Sequence, residues 1–556
     1  MSENLSARRR ADLRFTALES ERSTFIDHWR ELSENIQPRR GQFLVEDNNK
    51  GTKKNSKIID NTGTIAHRTL GAGMMTGLTS PSRPWFKLMP ESPDMAEIEP
   101  VKDWLHDVEQ ILYNIFQQSN FYNAVMSIYL EAGLFGTSCL VAVPDVRTIV
   151  RFTPLTVGQY LLSIDDRGVV DTLYREIRMT VKQVVDKYGY SQCSTPVQNA
   201  WNRGNKDDWV TIRTAIEPNP DHKPDGLFAR DRMPWVDRHW EKSSAEGDGF
   251  LRESGHEFFP AMCPRWHVNT GDIYGTGSPG MDALGDTKQL QKEQLRKGQA
   301  IDKMVSPPMK GPAALRSTQA NTLPGGLTVV DGMSGADAFQ PAYQVNVNLD
   351  HLLADIHDVR ERINMAFYRD IFLMISQESD VRTATENLMR QEEKLLMLGP
   401  VLERLHDELL EPVVLQTYRI ADEAGLLPEP PPEVQEQPLE VEFISMLAQA
   451  QRTVAVGGIE RMSGFVASMA QINPNAIDKL NVDEAIDEYA HAIGASPNVI
   501  RSDDEVDEIR SERMQQEQAM QAAQQMQPAA DALHKMSQVD TSGDNLVADV
   551  LGGARR

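Results

Sequence analysis

LDHLLADIHDVRERINMAFYRDIFLMISQESDVRTATENLMRQEEKLLMLGPVLERLHDELLEPVVLQTYRIADEAG, from Leu349 to Gly425, decides the fold. Its first part sets Leu349, Leu352, Leu353, Ile356, Val359, Ile363 and Phe367 at three-and-four spacing, which predicts a helix with one apolar face. Asp350, Asp355, Asp358, Arg360, Glu361 and Arg362 fall on its other side. IFLMISQESDVR, Ile371 to Arg382, breaks the period and predicts a loop. Thr383 and Glu386 then form a capping box, the threonine side chain meeting an orphan backbone N–H while the glutamate reaches back. The helix so started carries Leu388, Leu395, Leu396, Val401, Leu402, Leu405, Leu409, Val413 and Val414 to a glycine stop at Gly425. Kinks are expected at Gly399-Pro400 and Pro412, where proline removes a backbone donor. A helix of ~40 residues spans ~60 Å, a length that suits an assembly better than a compact monomer.

Working outward, 556 residues allow several domains, and no apolar run approaches the ~20 residues of a membrane helix. The start, MSENLSARRRADLRF, has no apolar signal core, so synthesis in the cytoplasm without membrane insertion is expected. Cys139, Cys193 and Cys263 lie far apart without a CxxC pair and are expected to be buried thiols. The net charge of −24 argues against tight phosphate binding. It suits either simple solubility or a surface past which DNA slides.

Residues 1 to about 45 predict a helix with Leu13, Phe15, Leu18, Phe25, Trp29 and Leu32 on one face, ending before Pro38. Arg8, Arg9 and Arg10 begin it, as a solvated basic start or a nucleic-acid arm. IIDNTGTIAHRTLGAGMMTGLTSPSRPWFKL, Ile58 to Leu88, predicts a closely packed glycine-bearing helix ended at Ser80-Pro81, then an aromatic anchor entering a strand. Helices are expected at Val101 to Phe116, Phe121 to Leu134 and Thr180 to Tyr188. Strands are expected at Cys139 to Val143, Ile149 to Phe152, Tyr160 to Ile164, Val169 to Arg178, Trp209 to Ile216, Trp235 to Trp240 and Phe250 to Arg252. YGTGSPG, Tyr274 to Gly280, has the spacing of a dinucleotide fingerprint but no aliphatic strand before it, so it predicts a turn. Met281 to Met304 follows as a helix with few apolar residues on any face, one that needs solvent or neighbouring copies around it. Ser306 to Asn348, rich in proline and glycine with strand-like pieces such as Leu327 to Val330, is an excursion between two helices. Pro428 to Pro432 predicts a stiff linker, followed by helices at Glu440 to Ala455, Ile459 to Ile472 and Val482 to Ile493. Beyond Arg501 a charged, then Gln/Met/Ala-rich helix gives way to a polar tail.

No phosphate-loop, HExxH or GxSxG pattern occurs, and His351 and His357 are six apart on different helix faces. Asp165-Asp166 and Asp503-Asp504 read as solvated acids. Neither a cofactor nor a metal site is expected. A DNA-processing enzyme such as a nuclease is the alternative function, testable by divalent-metal-dependent cleavage.

Ile59-Asp60-Asn61-Thr62, GLTSPSRPWFKL, SNFY (Ser119 to Tyr122), Phe135-Gly136-Thr137, YGTGSPG and TATE (Thr383 to Glu386) occur here in an order and spacing that resemble the portal protein, or head-to-tail connector, of T7-like short-tailed bacteriophages, podoviruses. The resemblance covers about residues 20 to 510. It implies an α+β portal-type fold, with an α/β wing, a long helical stem and tunnel module, a small β-containing clip and an α-helical crown. The wing would be 1–280, the stem helices 281–304 and 349–370, the clip 305–348 and the tunnel loop 371–382. A long kinked wing helix would occupy 383–426, the crown 427–500, and a C-terminal helix and tail 501–556. It further implies a dodecameric homo-oligomer at one capsid vertex of the virion, through which double-stranded DNA is packaged and later ejected without sequence readout. Partners would be the terminase large subunit, tail adaptor and tail tube proteins, the major capsid and scaffolding proteins, and internal core proteins. In the tunnel loop, Gln377, Glu378, Ser379, Asp380 and Arg382 are the candidates to face DNA, Thr383 and Glu386 capping the helix behind them. Asp380 and Glu378 would repel phosphates, while Arg382 either contacts DNA or makes an ion pair at the helix start.

Overall fold

The computed structural model describes residues 6–43, 56–91, 95, 98–224, 229–243, 249–306, 309–310, 340–341, 349–376, 398–435, 438–444, 462–470, 473, 479–493, 506, 509–516 and 518. The chain falls into two units, Met1–Val454 and Ala455–Arg556.

The first unit is a mixed helix-and-sheet body, the α+β class expected. Its helices are α1 (Ala7–Ile36), α2 (Thr62–Leu78), α3 (Glu99–Gln118), α4 (Phe121–Phe135), α5 (Val181–Tyr188), α6 (Thr195–Asn202) and the one-turn α7 (Ala229–Arg232). Strands β4 (Tyr160–Ile164), β5 (Val170–Thr180), β6 (Trp209–Pro218), β7 (Trp235–Glu241) and β8 (Arg252–His256) form an antiparallel meander in that order. A second sheet places β2 (Cys139–Asp145) between β3 (Ile149–Leu155) and β9 (Ala261–Met262). The main core gathers Trp29, Trp85, Phe86, Phe116, Phe121 and Phe152 beneath the helices. A smaller core of Phe15, Leu161, Tyr174 and Trp240 seats α1 on the meander.

Several expectations are corrected. Leu13 is 47% exposed, while Ala11 and Ile36 are buried on α1, because the buried stripe runs through 11, 15, 18, 29, 32 and 36. Arg8, expected in solvent or on nucleic acid, is buried at 3% exposure. Its guanidinium donates to Asp12 and to the carbonyls of Glu241 and Gly249, and lies over the Trp240 ring. The strand placed at Phe250 to Arg252 begins instead at Arg252, since Phe250 packs on Trp240. Neither α6 nor β9 was anticipated.

The helical part begins with α8 (Pro279–Val305) and α9 (Leu349–Ala366), which pack on each other. Short strands β10 (Met309–Lys310) and β11 (Gln340–Pro341) pair antiparallel between them. Leu327 to Val330 lies outside the described residues. Tyr368, with φ of +53°, turns the chain into α10 (Arg369–Ser376). The loop predicted from Ile371 is therefore helical as far as Ser376, because Ile371 and Phe372 are core residues.

Residues 398–423 run as one helix, ending in α11 (Glu411–Glu423). The kink expected at Pro412 takes the form of a π-turn over His406–Leu410, a wider turn directly ahead of a residue that has no N–H to give. Gly425, at φ of +67°, is the expected stop.

LEVEF, expected to open a helix at Glu440, is instead strand β12 (Leu439–Phe443), antiparallel to β1 (Phe86–Pro90). Leu439, Val441 and Phe443 alternate with two glutamates, a period of two that fits a half-buried strand. Nor is the proline run a detached linker: Trp104 donates to the Pro428 carbonyl at 3.0 Å, and Val434 is buried in the main core. In the second unit, residues 462–470 and α12 (Val482–Ile493) are helical as expected, and Arg510 grips Asp483 through two 2.7 Å bonds.

Candidate functional site

Three of the quoted motifs, FGT, YGTGSPG and IDNT, turn out to form joints, and α8 is what they aim. Gly136 closes α4 with φ of +76°, and its carbonyl accepts from Trp266 N–H at 2.9 Å. Thr137 Oγ1 accepts from Gly275 N–H at 2.7 Å. A Cβ on Gly275 would sit 2.0 Å from the Gly136 oxygen, and one on Gly280 2.5 Å from the Leu134 oxygen. FGT and YGTGSPG are thus the two sides of one backbone-to-backbone contact, and the segment read as a turn bridges to His267 through Gly277 and opens α8 already at Pro279. Ser278 completes it: its hydroxyl donates to the Leu134 carbonyl at 3.0 Å and accepts from Met281 N–H, capping α8.

IDNT supplies the second joint. The Gln291 side chain on α8 accepts from Ile59 and Asp60 N–H at 2.6 and 2.8 Å and donates back to the Asp60 carbonyl at 2.9 Å. The Asp60 carboxylate accepts from Thr62 N–H and hydroxyl, from Gln294 on α8 and from Arg360 on α9. Burial pushes this carboxyl up, but the bonds from Thr62 and Arg360 outweigh it and hold it below its ordinary range. Arg362 fastens α9 to Asp286 of α8 at 3.1 Å.

The aromatic motifs do similar work. Trp85 stacks on Phe121 at 5.8 Å, and Asn120 pairs with the Phe152 backbone like an extra strand residue, at 2.6 and 3.0 Å. On α2, Gly73 lies against Phe372 of α10 so closely that a Cβ would come within 2.1 Å of the ring. This is the close packing expected of the glycine-bearing helix, and it seats the segment that leads toward residue 377.

Gln377, Glu378, Ser379, Asp380, Arg382, Thr383 and Glu386 all lie outside the described residues. So do Asp503 and Asp504. Asp165 behaves as a turn residue, accepting from Arg167 and Val169 N–H at 2.9 and 2.8 Å, and the Val169 bond leads in holding its carboxyl low. A cavity of about 920 Å³ opens between this turn and the long helix, lined in part by Asp171, Asp272 and Glu408. Arg265 crosses it and binds Glu408 at 2.6 Å, an ion pair between segments 143 residues apart that no local pattern announces. No group of side chains among the described residues is arranged to hold a metal ion, and none of the helices searched is long and apolar enough to cross a membrane. All three cysteines are buried thiols, as expected.

Such a construction is that of a scaffold: an α+β body in which FGT, YGTGSPG and IDNT fix the direction of a helical pair. The family model described as bacteriophage head to tail connecting protein matches residues 8–500, and the chain belongs to that family, a structural one whose members serve in the virion. It is 45% identical over 538 residues to the probable portal protein of Bordetella phage BPP-1, across 97% of this chain and 96% of that one. Against the portal protein of Salmonella phage epsilon15 the identity is 41% over 538 residues, with the same coverage. Among solved structures, the neck of an empty gene transfer agent particle matches at a TM-score of 0.34 and 10% identity, covering 76% of this chain and 93% of that one.

Proposed function

We propose that the chain forms the portal ring of a short-tailed phage, a homo-oligomer at one capsid vertex through which a separate terminase packages double-stranded DNA and on which tail proteins later dock. The observation that carries this is similarity to portal proteins over 97% of the chain. The geometry supports it, since α8 leaves the body with residues 301–306 all exposed, including Ile301, Met304 and Val305, apolar surface that suits an assembly. In this division 1–280 is wing, 281–304 and 349–370 are stem, and 305–348 is clip. The tunnel loop follows α10, with Gln377, Glu378, Ser379, Asp380 and Arg382 toward DNA. The long helix over 383–426 returns to the wing, β12 belongs with the wing, and the crown follows it.

Native mass spectrometry with negative-stain images of the purified protein tests this. A closed ring of about twelve copies with a central hole supports it; a monomer or dimer stable across concentration and salt refutes it. Deleting Ser376 to Ser379 leaves the ring intact and impairs genome retention or packaging; loss of the ring instead would make that segment a subunit contact.

A further inference from the structure

The outer faces of α8 and α9 carry opposite charge. On α8, Gly285, Lys292, Arg296, Gln299 and Lys303 are exposed and spaced as one stripe, and Lys288 borders it, bound to Glu31 of α1. The acids that could neutralise the stripe are turned aside: Asp286 holds Arg362 of α9, and Glu293 is buried against Gln289. Asp282 and Asp302 lie about a quarter-turn off it. Among the described residues, Lys292, Arg296 and Lys303 have no ion-pair partner in their own chain.

On α9 the arrangement is reversed. Asp350, Ala354, His357, Asp358, Glu361 and Met365 form the exposed stripe, while the two arginines, partly exposed, bind acids beside it, Arg360 to Asp60 and Arg362 to Asp286. Arg362 also reaches back to Asp358, and His357 stands 3.6 Å from Glu361. The basic stripe lies away from the Arg362–Asp286 seam that joins the helices, and the acidic stripe borders it at Asp358. Exposed apolar side chains accompany them, with Leu295 at 50% beside the basic stripe and Met365 at 60% within the acidic one.

We infer that the basic stripe of α8 docks against the acidic stripe of α9 in a second copy of this chain. A two-fold pairing of either stripe with itself sets like charges together, which is unfavourable. Basic against acidic can be satisfied twice over in a two-fold pair or once per neighbour in a head-to-tail series; the ring proposed above selects the second, whose repetition by rotation closes it. The inference rests on the ring proposed above and names the surface that closes it. Single exposed ion pairs contribute little, so the contact depends on the whole row with its apolar border.

The test uses two full-length variants, Lys292→Glu/Arg296→Glu and Asp358→Lys/Glu361→Lys, whose substitutions are exposed, with circular dichroism as the control for folding. Each alone is expected to lower ring yield roughly tenfold or more. Mixed in equal amounts, the two restore rings with the variants alternating, because each junction again pairs opposite charges. Rings from either variant alone at the wild-type yield would overturn this contact while leaving the ring itself in place. So would failure of the mixture to assemble, or intact rings that fail only in DNA packaging, which would turn the acidic stripe toward the channel. Absence of rings from the unmodified chain would remove both proposals.

Discussion

Replacing Asp60 tests the joint that fixes α8 and α9 to the body. Its carboxylate is 7% exposed and accepts five hydrogen bonds, at 2.9 and 2.5 Å from Thr62, 2.9 Å from Gln294, and 2.6 and 3.2 Å from Arg360. Removing one member of a buried charged pair costs about 3–5 kcal/mol. Arg360 is 46% exposed, however, and can turn to water, which lowers the expectation for Asp60→Ala to about 2–4 kcal/mol. Arg360→Ala leaves the other donors in place and costs about 1 kcal/mol. Because the whole chain does not unfold in one step, local opening is the quantity to follow, by hydrogen exchange at residues 56–62, 287–294 and 356–363. Two to four kcal/mol corresponds to roughly 30- to 800-fold faster exchange there. The sign with pH follows from the lowered carboxyl: its contribution is present above the unfolded value of about 4 and is lost as pH falls through the lower folded value. Protection at these residues is therefore steady from neutrality to about pH 5 as far as this group is concerned. Asp60→Ala exchanging at the wild-type rate would refute the joint.

Further expectations are independent of it. Gly275→Ala drives a Cβ to 2.0 Å from the Gly136 oxygen, rigid backbone on both sides, so soluble yield should collapse. Gly168→Ala, with φ of +82° but open space around it, should cost only about 1–2 kcal/mol, read as a small drop in melting temperature. Burial raises the Glu109 carboxyl to about 7 where it accepts from Leu88 N–H on β1. Stability from this group is full below about pH 4 and declines as pH rises through 7. Glu109→Gln keeps an acceptor there and should flatten that decline, raising the melting temperature at pH 8 relative to wild type; an unchanged pH profile would count against it. Finally, no thiol of the native protein should react with a maleimide, and all three should do so after denaturation, since Cys139, Cys193 and Cys263 are buried.

What the sequence made legible was set by the range of the contacts involved. The strand Tyr160–Ile164 and the helix Val482–Ile493 agree residue for residue with the pattern reading, because the strand leads into the Asp165–Gly168 turn and the helix carries its own 3.6-residue apolar period. LEVEF was missed because five residues of alternation are a weak signal beside the longer apolar periods that flank them, and its partner strand lies some 350 residues earlier. Arg8 was misplaced for a similar reason: the carbonyl of Glu241 that holds it is 233 residues away. Ile371 to Ser376 looks loop-like only until the groove over Gly73 is known, which no local pattern contains.

The joints themselves explain why short motifs of small and polar residues carried the family likeness when chemistry did not. Gly275 and Thr137 are 138 residues apart, yet the contact dictates both, since nothing larger than hydrogen fits on one and the other must accept its N–H. A helix held at one point can swivel, whereas one held at two has a direction. Ser278 and Gly280 hold α8 at its first turn, and Asp60, through Gln291 and Gln294, holds it about three turns on. Loss of the second joint should therefore pivot α8 without detaching it, and it takes Asp60→Ala together with Gln291→Ala, because Gln291 binds the backbone of Ile59 and Asp60. In that double variant, exchange at Met281 to Leu284 should stay at the wild-type rate while that at 287–294 rises. A uniform rise along the whole helix would mean that the first turn does not hold by itself, and that the direction of the helical pair is set by α9.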